Sequence, residues 1–278
     1  METINVGEVK FSNNLPFVFI GGPCQIESEQ HSLMVADFLV NLTSKLDIPY
    51  VFKASFDKAN RTSISGKRGV GLKKSIAIFE KIKKNFGCPI ITDVHLPEQC
   101  KEIAQIVDIL QIPALLCRQT DLLKEASLTN KTINVKKGQF LSPNEMTKIV
   151  EKIEYFGNKN ILLTERGTTF GYNNLVVDMR GLEIMAKTKK PVIIDATHAV
   201  QLPGSLGASS GGDRMMAPIL ARSAIASRPI AGVFCEVHND PEHAFSDGAN
   251  SLTFEMTEQL LKQLKELDKV VKSLNIQQ

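Results

Sequence analysis

Short apolar, β-branched runs alternate along the chain with longer segments whose apolar residues recur at the helical period. Several short runs are apolar at nearly every position, as expected for parallel strands buried on both faces. The pattern predicts eight strands: Phe17–Gly21, Tyr50–Ala54, Pro89–Asp93, Ile109–Ile112, Thr132–Lys136, Ile161–Glu165, Val192–Asp195 and Gly232–Glu236.

Helical periodicity is clearest in three segments that lie between or after these strands. Leu72–Asn85 and Pro143–Tyr155 each place their apolar residues on one face, and Leu252–Leu274 is a long amphipathic segment. Eight strand–helix units in order predict an α/β protein with a (β/α)8 barrel, and a doubly wound sheet is the competing topology. Because such barrels typically have about 250 residues, we expect one domain over residues 1–278.

The segment before the first strand has a different pattern. Ile4–Phe11, followed by polar residues, predicts a short β-hairpin that covers the bottom of the barrel. The glycine- and serine-rich segment Gln201–Asp213 follows the seventh strand, and its composition suits either a lid over the barrel mouth or a flexible surface loop. We assign no role to His31, which we expect to face solvent near the start of a helix.

Composition narrows the possible partners and the compartment. The 278 residues are 43% hydrophobic and carry a net charge of only +3, so charge gives no argument for nucleic acid or membrane binding. No apolar run approaches the roughly 20 residues of a membrane span, and residues 1–10 lack a signal-peptide core. The five cysteines form no CxxC pair, which suits a reducing cytoplasm.

Polar residues concentrate where the predicted strands end. The carboxyl ends of barrel strands surround the mouth that holds the active site in barrels of this class. Arginine and lysine side chains that converge there favour a substrate with several negative charges, and phosphate groups are the natural candidates. Taken alone, the basic segment 52–63 is equally well explained as a solvated loop. The converging cations are Lys53, Lys58, Arg61, Lys136 and Arg166.

A second set of strand-end residues has the chemistry of a metal site. Cys24, His198, Glu236 and Asp247 follow strands 1, 7 and 8, which become neighbours when the barrel closes. Thiolate, imidazole and carboxylates together can bind a divalent cation. The alternative is that Cys24 is a small buried hydrophobic residue.

Seven segments give the chain a resemblance to the 3-deoxy-D-manno-octulosonate 8-phosphate synthases over nearly its whole length. The second contains Lys-Ala-Asn-Arg, where related synthases that use erythrose 4-phosphate carry Lys-Pro-Arg-Thr. The segments are Gly21–Ser28, Phe52–Ser63, Ile91–His95, Ile109–Leu122, Asn134–Phe140, Leu163–Tyr172 and Asp195–Gly204.

The resemblance implies a reaction, condensation of phosphoenolpyruvate with arabinose 5-phosphate, and a role for each matching residue. Catalysis falls to Lys58, Asn60, Asp93 and His198, with Lys58 polarising the aldehyde and Asn60 and Asp93 holding the pentose hydroxyls. Phosphoenolpyruvate is bound by Lys53, Gln111, Lys136 and Arg166. The pentose phosphate is bound by Arg61, by Thr62, where the family usually has serine, and by Arg118 of a neighbouring subunit in a homotetramer.

The resemblance also implies a metal-dependent enzyme, because metal-free members of the family carry asparagine at the position of Cys24. One divalent ion, Zn, Fe, Mn, Co or Cd, is then held by Cys24, His198, Glu236 and Asp247. The sequence leaves open whether Lys58 or the metal site protonates the new alkoxide. It also leaves open two other functions, an erythrose 4-phosphate synthase and a catalytically silent barrel that senses a phosphorylated metabolite.

Overall fold

The protein is built around a closed barrel of eight parallel strands, seen in a computed structural model that describes residues 1–205, 207 and 210–275. Each barrel strand is followed along the chain by one helix. The strands are β1 Val18–Gly22, β2 Tyr50–Lys53, β3 Ile90–Asp93, β4 Ile109–Ile112, β5 Thr132–Lys136, β6 Ile161–Glu165, β7 Val192–Asp195 and β8 Gly232–Glu236.

Neighbouring strands pair in the order β1 to β8, and β8 closes the barrel by pairing with β1. The (β/α)8 barrel is therefore confirmed, and the doubly wound alternative is excluded because the sheet has no edge. Closure places Glu236 beside Gly22 in the register of β8 and β1. The carboxyl ends of β7, β8 and β1 consequently lie side by side, as the metal-site prediction requires.

The helices surround the barrel and bury one face each against it. Of the three predicted helices, the second begins later than expected, because Pro143–Glu145 forms a 3₁₀ turn before α5. The helices are α1 Glu29–Lys45, α2 Leu72–Phe86, α3 Pro97–Ile103, α4 Thr120–Leu128, α5 Met146–Tyr155, α6 Arg180–Ala186, α7 Ala217–Ser227 and α8 Phe254–Asn275.

Several predicted boundaries differ from the observed ones by one or two residues, and three of these differences have a hydrogen-bonding reason. Phe17 lies outside β1 because its N–H donates to the Asp268 carboxylate on α8, at 3.1 Å. Pro89 has no N–H for the ladder of β3. Leu252 precedes α8 because its N–H donates to the carbonyl of Glu236, at 2.9 Å.

The predicted hairpin closes the amino-terminal end of the barrel. Its strands, Ile4–Val6 and Val9–Phe11, are antiparallel and turn at Gly7, whose φ is 57°. Ile4, Val6 and Phe11 pack against apolar side chains that fill the barrel interior. The hairpin prediction is confirmed, and this end of the barrel is apolar and plugged.

The segment predicted as a lid lies at the other end. The short strand Gln201–Leu202 pairs with Gly211–Gly212, while Leu206, Ala208 and Ser209 fall outside the described residues, so the lid stays a prediction. Within the part of the chain that the structure covers, no helix is long and apolar enough to cross a membrane. The assignment of residues 1–278 to one domain also stays a prediction.

Candidate active site

A cavity of about 450 Å³ opens at the carboxyl ends of the strands. Its size is within the usual range for small-molecule sites. The side chains that line it include all five cations predicted to converge at the mouth and five further predicted site residues. These are Lys53, Lys58, Arg61, Lys136 and Arg166, with Asn60, Thr62, Asp93, His198 and Asp247.

Lys58 and Asp93 form the polar pair at one side of the cavity. The Lys58 Nζ lies 3.0 Å from the Ser55 hydroxyl and 3.9 Å from the Asp93 Oδ2, and Ser55 also donates to Asp93. Burial opposes charge on Lys58, but the surrounding acidic groups, Cys24 and Asp93 foremost, outweigh it and raise the pKa. Lys58 is therefore a cationic hydrogen-bond donor at neutral pH rather than a base.

A series of hydrogen bonds between buried side chains holds Asp93 in place. Gln111 Nε2 donates to Asp93 Oδ1 at 2.7 Å, Asn134 donates to Gln111 at 2.8 Å, and Thr164 donates to Asn134 at 2.7 Å. Burial raises the pKa of Asp93, yet neighbouring lysines, Lys58 first among them, lower it well below its usual range. Gln111 is fully buried and is not part of the cavity lining; its direct contact with phosphoenolpyruvate stays a prediction.

Arg166 presents a donor to the cavity. Its Nη2 donates to Gln201 Oε1 at 2.8 Å and to the His198 carbonyl at 3.3 Å, which fixes the guanidinium plane. Its buried Nη1 has no hydrogen-bond partner among the residues that the structure describes. Burial lowers the pKa of Arg166 despite the attraction of Asp195 and Asp247. An oriented, desolvated guanidinium with a free donor is suited to bind an anion.

The two remaining arginines of the prediction occupy different places. Arg61 lines the cavity and donates to the Phe245 carbonyl at 2.9 Å, so the β2–α2 and β8–α8 loops are joined there. Arg118 is exposed between β4 and α4, outside the lining of this chain's cavity. Its carbonyl accepts a hydrogen bond from Lys152 at 3.1 Å.

The four predicted metal ligands meet on the floor of the cavity. Donor atoms of Cys24, His198 and Glu236 lie within 4.8 Å of one another. Asp247 Oδ2 is 2.9 Å from Cys24 Sγ and 3.5 Å from His198 Nε2. Glu236 Oε2 is buried and, within the described part of the chain, has no hydrogen-bond partner. The donor set and its spacing fit a divalent cation with affinity for both thiolate and carboxylate.

Asp195 orients the imidazole of this cluster. His198 Nδ1 lies 2.8 Å from Asp195 Oδ2, so the opposite ring nitrogen, Nε2, faces Glu236 and Asp247. Lys136 also pairs with Asp195, at 2.6 Å. Burial alone would lower the pKa of His198, but the Asp195 carboxylate outweighs burial and raises it to about 10. At metal sites, a carboxylate beside the ring nitrogen that does not bind the metal commonly orients a histidine ligand.

Lys53 lies under the same cluster. Its fully buried Nζ donates to the Cys24 carbonyl at 2.9 Å and to the Glu236 carboxylate. The ammonium therefore neutralises Glu236 and fixes the turn that presents the Cys24 thiol.

A second cluster, formed by Glu27, His31 and His238, lies beside the first and was not foreseen. The expectation that His31 faces solvent is wrong, because its ring is half-buried with its centroid 4.4 Å from that of His238. The Glu27 Oε1 accepts the Phe245 N–H at 2.7 Å and lies 3.3 Å from His238 Nε2. This cluster anchors the β8–α8 loop, which carries Asp247.

Three functional contacts come from residues that the sequence patterns did not single out. Ser55 bonds Asp93, Asp195 orients His198, and Gln201 joins Arg166 to Asp247. Ser55 lies two residues after β2, Asp195 is the last residue of β7, and Gln201 follows the 3₁₀ turn that comes after β7. Strand-end position could have indicated them, but their partners depend on side-chain geometry.

Comparison with known proteins is consistent with this geometry. The model of the DAHP synthetase I family matches residues 2–273. The 2-dehydro-3-deoxyphosphooctonate aldolase of Rickettsia bellii (strain OSU 85-389) is 54% identical over 269 residues, which cover 97% of this chain and 98% of that protein. The protein of the same name from Rickettsia canadensis (strain McKiel) is 55% identical over 271 residues, 98% of each chain. The chain belongs to the DAHP synthetase I family.

Proposed function

We propose that this chain condenses phosphoenolpyruvate with arabinose 5-phosphate and water to give 3-deoxy-D-manno-octulosonate 8-phosphate and inorganic phosphate. Relatives more than half identical over nearly the whole chain bear the name of that activity. The single observation that carries the proposal is one cavity lined by five cations, with the Lys58–Asp93 pair among them. The product is a precursor of lipopolysaccharide sugar.

Phosphoenolpyruvate occupies the inner part of the cavity in this proposal. Lys136 and Arg166 bind its phosphate and carboxylate, because both side chains line the same cavity and Arg166 Nη1 has no hydrogen-bond partner among the described residues. Lys53 adds positive charge from beneath the floor. These groups balance the charge of the substrate without direct exposure to bulk water, where each contact would be weaker.

Arabinose 5-phosphate lies toward the outer rim. Asp93 accepts hydrogen bonds from its hydroxyls, the Asn60 amide donates to them or accepts from them, and Arg61 and Thr62 bind its phosphate. We include Arg118 of a neighbouring subunit in a homotetramer, because this side chain is exposed and outside its own chain's cavity.

Bond formation begins when C3 of phosphoenolpyruvate attacks the aldehyde carbon. The Lys58 ammonium donates to the aldehyde oxygen as it becomes an alkoxide, and Asp93 holds Lys58 in place. Positive charge develops at C2, water adds there and loses a proton, and C–O cleavage then expels inorganic phosphate. Juxtaposition of the two phosphorylated substrates supplies much of the rate acceleration by removing translational freedom.

We further propose that Cys24, His198, Glu236 and Asp247 hold one divalent cation, Zn, Fe, Mn, Co or Cd. Such an ion supplies Lewis-acid polarisation of an oxygen atom when it is bound. The buried unpartnered Glu236 oxygen and the orientation of His198 by Asp195 support this site. All five cysteines are buried free thiols, which supports a cytoplasmic location.

Phosphate release tests the reaction. We expect release from phosphoenolpyruvate with arabinose 5-phosphate and little with erythrose 4-phosphate. Preference for the four-carbon aldose would favour the erythrose 4-phosphate synthase instead, and no release with either aldose, even after divalent ions are added, would favour the sensor. Activity that survives complete removal of metal would keep the reaction and reject the metal site.

A Lys58→Ala variant tests the catalytic pair. We expect turnover to fall by about 10³-fold or more, since an electrostatic donor to a developing oxyanion contributes on that scale. The unfolding temperature and phosphoenolpyruvate binding should change little, because Lys58 acts on the aldehyde. Near-normal turnover would reject the role of Lys58.

A further inference from the structure

One primary amide, that of Gln201, connects the two charged halves of the active site. Its Oε1 accepts from Arg166 Nη2 at 2.8 Å, and its Nε2 donates to Asp247 Oδ1 at 2.8 Å. The other oxygen of Asp247, Oδ2, faces Cys24 Sγ and His198 Nε2. We propose that Gln201 is a positioning residue that makes anion binding at Arg166 and divalent-cation binding at Asp247 cooperative.

The chemistry of the two neighbours requires an amide between them. A guanidinium only donates hydrogen bonds and a carboxylate only accepts them, so the bridge needs an acceptor at one end and a donor at the other. Among single side chains of this length, glutamine has both. The observed contacts also fix which way round the amide lies, since the reverse orientation would place N–H against N–H.

The bridge also keeps opposite charges apart. Arg166 and Asp247 attract each other, and in a buried site a direct ion pair between them would be strong. That pair would occupy the guanidinium needed by the anion and the carboxylate needed by the cation. Gln201 satisfies one donor of Arg166 and one oxygen of Asp247. Arg166 Nη1 then has no hydrogen-bond partner among the described residues, and Asp247 Oδ2 stays directed at Cys24 and His198.

The backbone around Gln201 holds the bridge at a fixed length. Gln201 pairs with Gly212 in the short antiparallel ladder, and Gly212 packs directly on Asn250, leaving no room for a Cβ. Asp247 has a φ of 52°, and its carbonyl accepts the N–H groups of Asn250 and Ser251. The Gln201–Gly212 ladder and the loop that carries Asp247 therefore support each other. The Gln201 amide consequently spans a fixed distance between Arg166 and Asp247.

Cooperativity follows from this geometry. An anion that binds Arg166 fixes the guanidinium, which fixes the Gln201 amide and in turn the Asp247 carboxylate in its ligand position. A cation on Asp247 works in the opposite direction through the same bonds, and linkage requires the two effects to be equal. The inference rests on the proposed phosphoenolpyruvate and metal sites.

The test measures binding without turnover. Metal-free protein is titrated with Co²⁺ and followed by thiolate-to-cobalt absorption, with and without phosphoenolpyruvate and with no aldose present. In the natural chain we expect phosphoenolpyruvate to tighten Co²⁺ binding by about 5-fold or more, a typical coupling between sites. In Gln201→Leu the ratio of the two affinities should fall to about 1, because both bridging bonds are gone.

Two further variants distinguish the loss of the Gln201 bridging contacts from a general disturbance of the site. Gln201→Asn keeps the polar atoms but is one methylene too short to reach both partners, so it should also lose the coupling, even if the leucine variant does not fold. Gln139→Leu is the matched control, because Gln139 lines the same cavity and bonds neither Arg166 nor Asp247 among the described contacts. This control should keep the coupling.

The possible failures are distinguishable. If Co²⁺ binds the natural chain without a phosphoenolpyruvate effect, or if Gln201→Leu and Gln201→Asn retain the effect, the coupling is rejected while the proposed sites stand. If Co²⁺ gives no thiolate band in the natural chain, the metal site fails and the coupling fails with it.

Discussion

Two clusters of titratable side chains stand side by side at the barrel mouth and differ in what they can bind. Cys24, His198 and Glu236 form one, and Glu27, His31 and His238 form the other; in each, three potential ligand atoms lie within 4.8 Å. Residue types and spacing alone would make both clusters metal sites. The two clusters differ in the partner of the imidazole Nδ1, the ring nitrogen that points away from the other ligand atoms.

The partner of Nδ1 decides what Nε2 can do in each ring. His198 Nδ1 faces the Asp195 carboxylate at 2.8 Å, so Nε2 is the nitrogen directed at Glu236 and Asp247, and it binds a cation once it releases its proton. His238 Nδ1 instead accepts the Asp240 N–H at 3.0 Å, so its proton is on Nε2 and faces Glu27. The first cluster can ligate a cation, whereas the second is a hydrogen-bonded brace for the loop above it.

Among the changes that test the difference between the two clusters, removal of the Cys24 thiol should have the largest effect. Cys24→Ala removes one of the four proposed ligands, so Co²⁺ affinity and phosphate release should fall by more than the roughly 10–100-fold typical of changes to residues that only orient a ligand. His31→Ala makes a similar truncation in the second cluster and should keep both. Equal losses in the two variants would mean that the clusters do not differ as described.

Loss of the orienting carboxylate should have an intermediate effect. Asp195→Asn removes the negative charge that faces His198 Nδ1 and orients the ring, and Co²⁺ affinity should fall by roughly 10–100-fold. Asp195 also pairs with Lys136, so binding is measured well below the unfolding temperature of the variant. Asp178→Asn, at a surface pair with Arg180, is the control. Unchanged Co²⁺ affinity in Asp195→Asn would reject the orienting role of Asp195.

Neutralisation of Glu27 should have the smallest effect, on stability alone. Burial raises the pKa of Glu27, but the hydrogen bonds from His238 and the Phe245 N–H lower it below its usual value. The carboxylate therefore stabilises the fold above its unfolded pKa of about 4.3, and this contribution disappears as the pH falls through the lower folded pKa.

Glu27→Gln should accordingly destabilise the protein by about 1–2 kcal/mol at pH 7, or by a few degrees in the unfolding temperature, with the difference shrinking below about pH 4. Co²⁺ affinity should be unchanged. Glu258→Gln breaks a surface pair with Lys262 and serves as the control. A Glu27→Gln variant that loses Co²⁺ would assign the second cluster to the metal site.

The barrel and its polar mouth could be predicted because they follow from local patterns. Short apolar, β-branched runs between segments of helical period indicated all eight strands, and five of the predicted strands have the observed boundaries, as at Ile109–Ile112 and Gly232–Glu236. Barrel closure then brought the ends of β7, β8 and β1 together, so a converging Cys24, His198 and Glu236 could be expected from sequence position and strand order.

Sequence determined which chemical groups reach the mouth, and only the tertiary structure decided what each group does there. Gln111 lies beneath the cavity and supports Asp93, Gln201 bridges Arg166 and Asp247, and His238 Nδ1 accepts a hydrogen bond from a backbone N–H. The physical reason is that strand order fixes position to within a few ångströms, whereas hydrogen bonds depend on tenths of an ångström and on direction. That precision arises from packing between loops far apart in the chain.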